Sequence, residues 1–175
     1  MSVPPERRVR QPGPPDGSIR APVAVLGLGN QLLTDEGLGV AAAGELAALG
    51  LTGADILDGG TLGLALLPAI EGRESLLILD AITSQHGRPG DVMVLTGGAL
   101  RRGWRRCLSA HQLGITDALA VADLAGQAPA RVAAVAMVPG SLAPGWGLTG
   151  PVRRAMPAML ATAIAILRSW EVPDA

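Results

Sequence analysis

Pro22-Val23-Ala24-Val25-Leu26-Gly27-Leu28-Gly29-Asn30-Gln31-Leu32-Leu33-Thr34-Asp35-Glu36-Gly37 is the stretch on which the fold turns. From Val23 to Leu28 the run is apolar without alternation, and Pro22 and Gly29 bound it, which is the pattern of a short strand covered on both faces. The theme returns at residues 54–57, 75–81, 91–95 and 131–138. Between these runs lie helical patterns at 36–49, ending at Gly50, then at 62–70, at 110–125, ending at Gly126, and at 150–168. Strand and helix alternate for most of the length. That order predicts an α/β three-layer sandwich: a five-stranded, mostly parallel, twisted sheet with helices on both faces. Pro68 and Pro157 fall inside helical patterns, so each is expected to start, end or kink its helix.

Composition narrows the class. The chain has 175 residues and no internal repeat, the size of one domain with one continuous core. Residues 1–20 carry Pro4, Pro5, Pro12, Pro14 and Pro15, four arginines and hardly any large apolar side chain, so they read as a disordered Pro/Arg-rich tail before a single domain at 21–170. Hydrophobic residues make up 49% but aromatics only 2%, so the core has to be built from Leu, Val, Ile and Ala. A formal charge of −1 argues against a nucleic-acid partner. Arg101, Arg102, Arg105 and Arg106 form the one basic run, a solvated element end or a docking patch for an acidic surface. The longest apolar stretch outside the strands, 158–167, is about half of a bilayer span, so no membrane role is expected and a cytoplasmic location is. Cys107 is alone and can form neither an intrachain disulfide nor a thiolate zinc site.

Catalytic chemistry is scarce in this chain, which has two histidines and no Tyr or Phe. Three separate segments nonetheless each present one metal-competent side chain: Glu36 after the first strand, Asp80 at the end of the run 76–79, and His111 in Ser109-Ala110-His111-Gln112-Leu113-Gly114. In an open parallel sheet ligands gather at the carboxyl ends of the strands, near the point where strand order reverses. Glu36 and Asp80 belong to that edge, and His111 joins them if its helix follows the usual handedness. Ser109 with Gln112 fits a capping box, and Thr34 is a candidate cap for a helix beginning at Asp35 or Glu36. Both placements favour the deprotonated, ligating forms. Oxygen and imidazole donors suit zinc, nickel or a similar divalent ion, held only moderately by such a set, so the metal is expected to arrive with the substrate. His86, in a polar turn, reads as a surface residue. Strand, Gly27-x-Gly29 and helix also resemble a dinucleotide fingerprint, but Leu32 stands where its third glycine belongs, and Asp35 and Glu36 put negative charge where a pyrophosphate would sit.

At these residues the sequence resembles the hydrogenase maturation endopeptidases. The matching segments are Gly27 to Asn30 through Thr34 to Gly37, Asp58-Gly59-Gly60-Thr61-Leu62-Gly63, Leu79-Asp80-Ala81-Ile82, Ser109 to Gly114, Gly126 with Pro129, and Val138-Pro139 leading to Gly147-Leu148-Thr149. The resemblance implies an endopeptidase that trims the C-terminal extension of a nickel-iron hydrogenase large-subunit precursor, with nickel already inserted as the recognition signal. It implies Glu36, Asp80 and His111 as the metal set, with Asp58, Gly59 and Gly60 shaping a loop beside the cleft. The competing expectations are a non-catalytic metal-dependent binding module or chaperone for such a precursor, and a nucleotide-binding domain.

Overall fold

The computed structural model describes residues 20–97 and 110–173, and of 110–113 it gives the backbone alone. The strands are β1 (Val23–Leu28), β2 (Ala54–Gly60), β3 (Ser75–Ala81), β4 (Val92–Thr96) and β5 (Arg131–Met137); the helices are α1 (Leu38–Ala48), α2 (Leu67–Ile70), α3 (Ala110–Leu124) and α4 (Gly150–Ser169). One sheet has the order β2-β1-β3-β5-β4. β1, β2, β3 and β5 run parallel and β4 lies antiparallel against β5 at the edge.

Alternation along the strands builds two cores. Val25, Leu77, Leu79, Val135 and Met137 face α1 and α4, whereas Leu26, Leu76, Ile78 and Ala134 face α2 and α3. Every residue of β1 and β3 is buried, which explains why these strands read as continuous apolar runs rather than alternating ones. The expected three-layer sandwich is therefore present, with its strand order reversing between β1 and β3.

Several local expectations are corrected. The helix read at 36–49 divides into a 3-10 turn, Thr34–Gly37, and α1, which ends just before Gly50 at φ 72°. The helix read at 62–70 is a 3-10 turn, Gly63–Leu66, followed by the single turn α2, which Pro68 opens; a proline lacks the N–H that a first turn leaves unpaired anyway. Pro157, by contrast, neither starts nor ends its helix, since α4 runs through it to Ser169. Second-strand pairing continues past residue 57 to Gly60, so Asp58, Gly59 and Gly60 are the bulged end of β2 and not a loop: Gly27 pairs with Asp58 but Leu28 with Gly60. Gly126 closes α3 in the left-handed region as expected, at φ 68°. Of the tail read at 1–20, only Arg20 is among the described residues, and its Nη1 donates to the Pro68 carbonyl. Among the described residues no helix is long and apolar enough to cross a membrane.

Candidate active site

Four glycines press the segment after β1 onto the strand ends. A Cβ on Gly39 would stand 2.2 Å from the Leu79 carbonyl oxygen and 2.4 Å from that of Leu28, so α1 begins wedged between the ends of β1 and β3. A Cβ on Gly29 would meet the Glu36 carbonyl oxygen at 1.7 Å, and one on Gly27 the Gly39 oxygen at 2.5 Å. On Gly37 it would meet the Gln31 Cα at 2.8 Å. Here glycine serves close backbone approach, and the result is that the 3-10 turn carrying Asp35 and Glu36 sits directly over the switch point.

Asp80 is the penultimate residue of β3, pairs in register with Ala136 and is 1% exposed. Its Oδ1 accepts the Ala81 N–H at 2.7 Å. By alternation with Leu76 and Ile78 its side chain belongs to the α2/α3 face of the sheet. α3 leads into β5, which is parallel to β1 and β3, so α3 descends from the carboxyl edge to the amino edge. Two contacts fix its ends. A Cβ on Gly114 would lie 2.3 Å from the Gly63 Cα, just past the end of β2, and at the other end the Gly72 N–H donates to the Gln127 carbonyl, just ahead of β3. His111 therefore stands in the opening turn of α3, at the carboxyl edge and on the face that Asp80 addresses. Its side chain lies outside the described residues, as do Ser109 with its expected cap, Cys107 and the four-arginine run. His86 is exposed, as its polar turn led us to expect.

The two adjacent acids Asp35 and Glu36 fare differently. Glu36 is partly exposed. Asp35 is 0% exposed, and its carboxylate accepts four hydrogen bonds: Oδ2 from the Gly140 N–H (2.7 Å), the Ser141 N–H (3.1 Å) and the Thr149 hydroxyl (2.7 Å), and Oδ1 from the Thr149 N–H (2.6 Å). With these donors on both oxygens and no exposure to solvent, Asp35 is closed to a ligand, whereas its neighbour Glu36 stays partly exposed.

Sequence reasoning treated Asp35 only as a nearby negative charge. The segment 140–149 is what it grips. Gly145 is stitched to the same turn as well: its carbonyl accepts the Thr34 N–H, and its N–H donates to the Leu32 carbonyl. Thr34 does not cap a helix. Its hydroxyl donates to the Ser141 and Ala143 carbonyls, and its φ of 44° puts a β-branched residue in the left-handed region. That conformation costs about 1–3 kcal/mol and persists only where surrounding contacts impose it. Leu32, Leu142 and Trp146 on these stitched loops are exposed, Trp146 at 77%.

A doubly covered, mostly parallel sheet with acids and a helix opening gathered at its switch point defines the class: a three-layer α/β protein with its candidate site at the carboxyl edge. Comparison with known proteins narrows this. The family model described as hydrogenase maturation protease matches residues 41–166, a span that includes Asp80 and His111 and begins after Glu36. A hydrogenase 2 maturation protease from Escherichia coli is 37% identical over 148 residues, 83% of this chain and 90% of the relative. A hydrogenase expression/formation protein HupD from Rhizobium leguminosarum is 39% identical over 170 residues, 90% of this chain and 80% of its own length. Among solved structures, the hydrogenase maturating endopeptidase HybD from E. coli superposes with a TM-score of 0.79 at 37% identity, covering 88% of this chain and 95% of that one. The [NiFe] hydrogenase maturation protease HybD from Thermococcus kodakarensis gives 0.70 at 27% identity, over 85% and 99%. The chain belongs to the hydrogenase maturation protease family, and the resemblance read from its motifs is borne out.

Proposed function

We propose that this protein is a metal-dependent endopeptidase acting in the cytoplasm on the large-subunit precursor of a nickel-iron hydrogenase. It removes the C-terminal extension once nickel is in place, and Glu36, Asp80 and His111 are its ligands to that nickel. One observation carries the reading: Gly39 lets the start of α1, directly after the Glu36 turn, wedge between the ends of β1 and β3, while α3, bearing His111 in its first turn, opens at the same edge on the face of Asp80. Its relatives, known as maturation proteases and endopeptidases of hydrogenases, supply the substrate class.

The chemistry follows from the donor set. Two carboxylates and one imidazole match a borderline divalent ion, and their small number keeps the intrinsic affinity modest. A cation that enters as part of the precursor then acts as the recognition element, because a precursor without it lacks the group these residues bind. When bound, the ion supplies Lewis acidity toward a peptide carbonyl or a water. The protein's own part is to hold the donors at one edge and to present the substrate chain there. In the net reaction one water adds across a peptide bond: the C–N bond breaks, the hydroxyl ends on the new C-terminus and the proton on the released amine. Asp58, Gly59 and Gly60, at the bulged end of β2, flank this edge and are proposed to line the path of the substrate.

Incubating the protein with precursor, with and without nickel loading, tests the proposal. Shortening of the loaded precursor alone is expected. A stable complex with an unshortened subunit under both conditions would instead mark a non-catalytic binding module.

A further inference from the structure

We infer that Asp35 is the positioning residue for Glu36, a role that rests on the reading of Glu36 as a ligand. Asp35 is fully buried, yet its carboxylate is met by backbone N–H groups and one hydroxyl, all from residues 140–149. The bonding is reciprocal: the Asp35 N–H donates to the Ser141 carbonyl, and the Thr34 hydroxyl donates to that same oxygen. The two peptide groups before Asp35 and its own side chain are thereby tied to a segment that enters from β5 and leaves into α4, with Thr149 as the N-cap of α4, while the Glu36 N–H donates back to the Leu33 carbonyl and closes the turn. Glu36 is consequently fixed against two independent parts of the fold. The end of β1 holds it through Gly29, where only a missing Cβ admits the Glu36 carbonyl, and the far side of the switch point holds it through Asp35.

An apolar side chain of the same shape would avoid the desolvation of a buried carboxylate but would leave the Gly140, Ser141 and Thr149 N–H groups without this acceptor, so the carboxylate serves stability as well. What it adds beyond stability is direction. Four donors converge on two oxygens in one geometry, and only one placement of the turn satisfies them all. Thr34, held at φ 44° immediately before Asp35, is the local distortion this placement imposes. The substitution Asp35→Asn leaves one oxygen and one NH2 in place of two acceptors. Turned either way, the amide would set an N–H against at least one of the N–H or hydroxyl donors, so the turn would shift while the side-chain volume stayed the same.

The experiment uses the full chain and four variants: Asp35→Asn, Thr149→Val, Thr149→Ser and Glu36→Gln. For each, thermal unfolding is recorded first. Binding of inorganic Ni2+ to the protein alone is then measured by calorimetry, and kcat and KM for precursor cleavage are measured well below the unfolding midpoint. Asp35→Asn and Thr149→Val are expected to weaken Ni2+ binding and lower kcat by about ten-fold or more, the usual effect of disturbing a group that orients a ligand, whereas Thr149→Ser stays within about two-fold of the parent. If Asp35→Asn fails to fold, the Thr149→Val and Thr149→Ser pair decides the question. Folded Asp35→Asn or Thr149→Val with parental Ni2+ affinity and kcat, beside a Glu36→Gln that has lost both, overturns the positioning role while leaving the ligand reading intact. Parental binding and cleavage by Glu36→Gln itself removes the ligand reading, and the positioning role with it.

Discussion

The two edges of the sheet each bury a charged side chain, and they satisfy it by different means. At the amino edge Arg73, 6% exposed, pairs with Asp55 through Nη1 at 2.5 Å, while the same nitrogen reaches the Ala21 carbonyl and Nε donates to that of Ala69. Nearby, the Arg131 Nε donates to the Ser75 hydroxyl and its guanidinium lies over the Trp170 ring. At the carboxyl edge Asp35 meets backbone donors of a loop. A charge paired with a charge is tolerant of small movements, because Coulomb attraction falls slowly with distance. A carboxylate held by several N–H groups is not, because each bond weakens steeply with angle. The amino edge is thus built for stability and the carboxyl edge for placement.

That contrast can be broken by substitution. The largest effect should come from Asp80→Asn or His111→Ala, which are expected to drop processing below about a hundredth of the parental rate. Precursor-shortening gels and circular dichroism check this, with near-native folding expected throughout. Parental processing by both variants would dismantle the assignment. Arg73→Met should do the reverse. It should lower stability by about 3 kcal/mol, the low end for a broken buried pair because Asp55 keeps 21% of its side chain exposed, and leave kcat per folded molecule unchanged. Denaturant unfolding read beside cleavage rates is the measurement, and a fall in kcat would blur the distinction between the edges.

Smaller effects sharpen the comparison within one helix. Gly39→Ala pushes a methyl against two strand-end carbonyls and should cost about 1–3 kcal/mol, lowering activity as well because the Glu36 turn must lift. Gly44→Ala, with nothing within 4 Å of its added Cβ, should instead raise stability by about 0.4–1 kcal/mol and leave cleavage alone. Chemical denaturation of the two variants side by side should give shifts of opposite sign. Equal shifts would mean that the strand ends yield more readily than the backbone contacts indicate.

Much of this was legible in the residues. The runs of β1 and β3 are buried on both faces, so burial leaves a continuous apolar signature, and Gly50 and Gly126 mark helix ends through the left-handed conformation only glycine adopts freely. Glu36 and Asp80 could be assigned to one edge because strand direction follows from the alternation of elements. The antiparallel placement of β4 was not legible, since its composition serves either direction. Nor was the bulge that draws Asp58, Gly59 and Gly60 into β2, because it depends on how Leu28 pairs across the gap.

What the sequence determined by itself was the layered α/β class, the family likeness and the set of candidate ligating side chains, because burial period, glycine spacing and donor chemistry are local properties of the chain. What tertiary structure alone decided was which of two adjacent acids is sealed away from chemistry. Asp35 and Glu36 look alike in the sequence; the segment at 140–149, over a hundred residues away, arrives over the first and leaves the second partly exposed. Local sequence carries no record of which backbone donors will converge on a side chain, and that convergence separates a buried anchor from a candidate ligand.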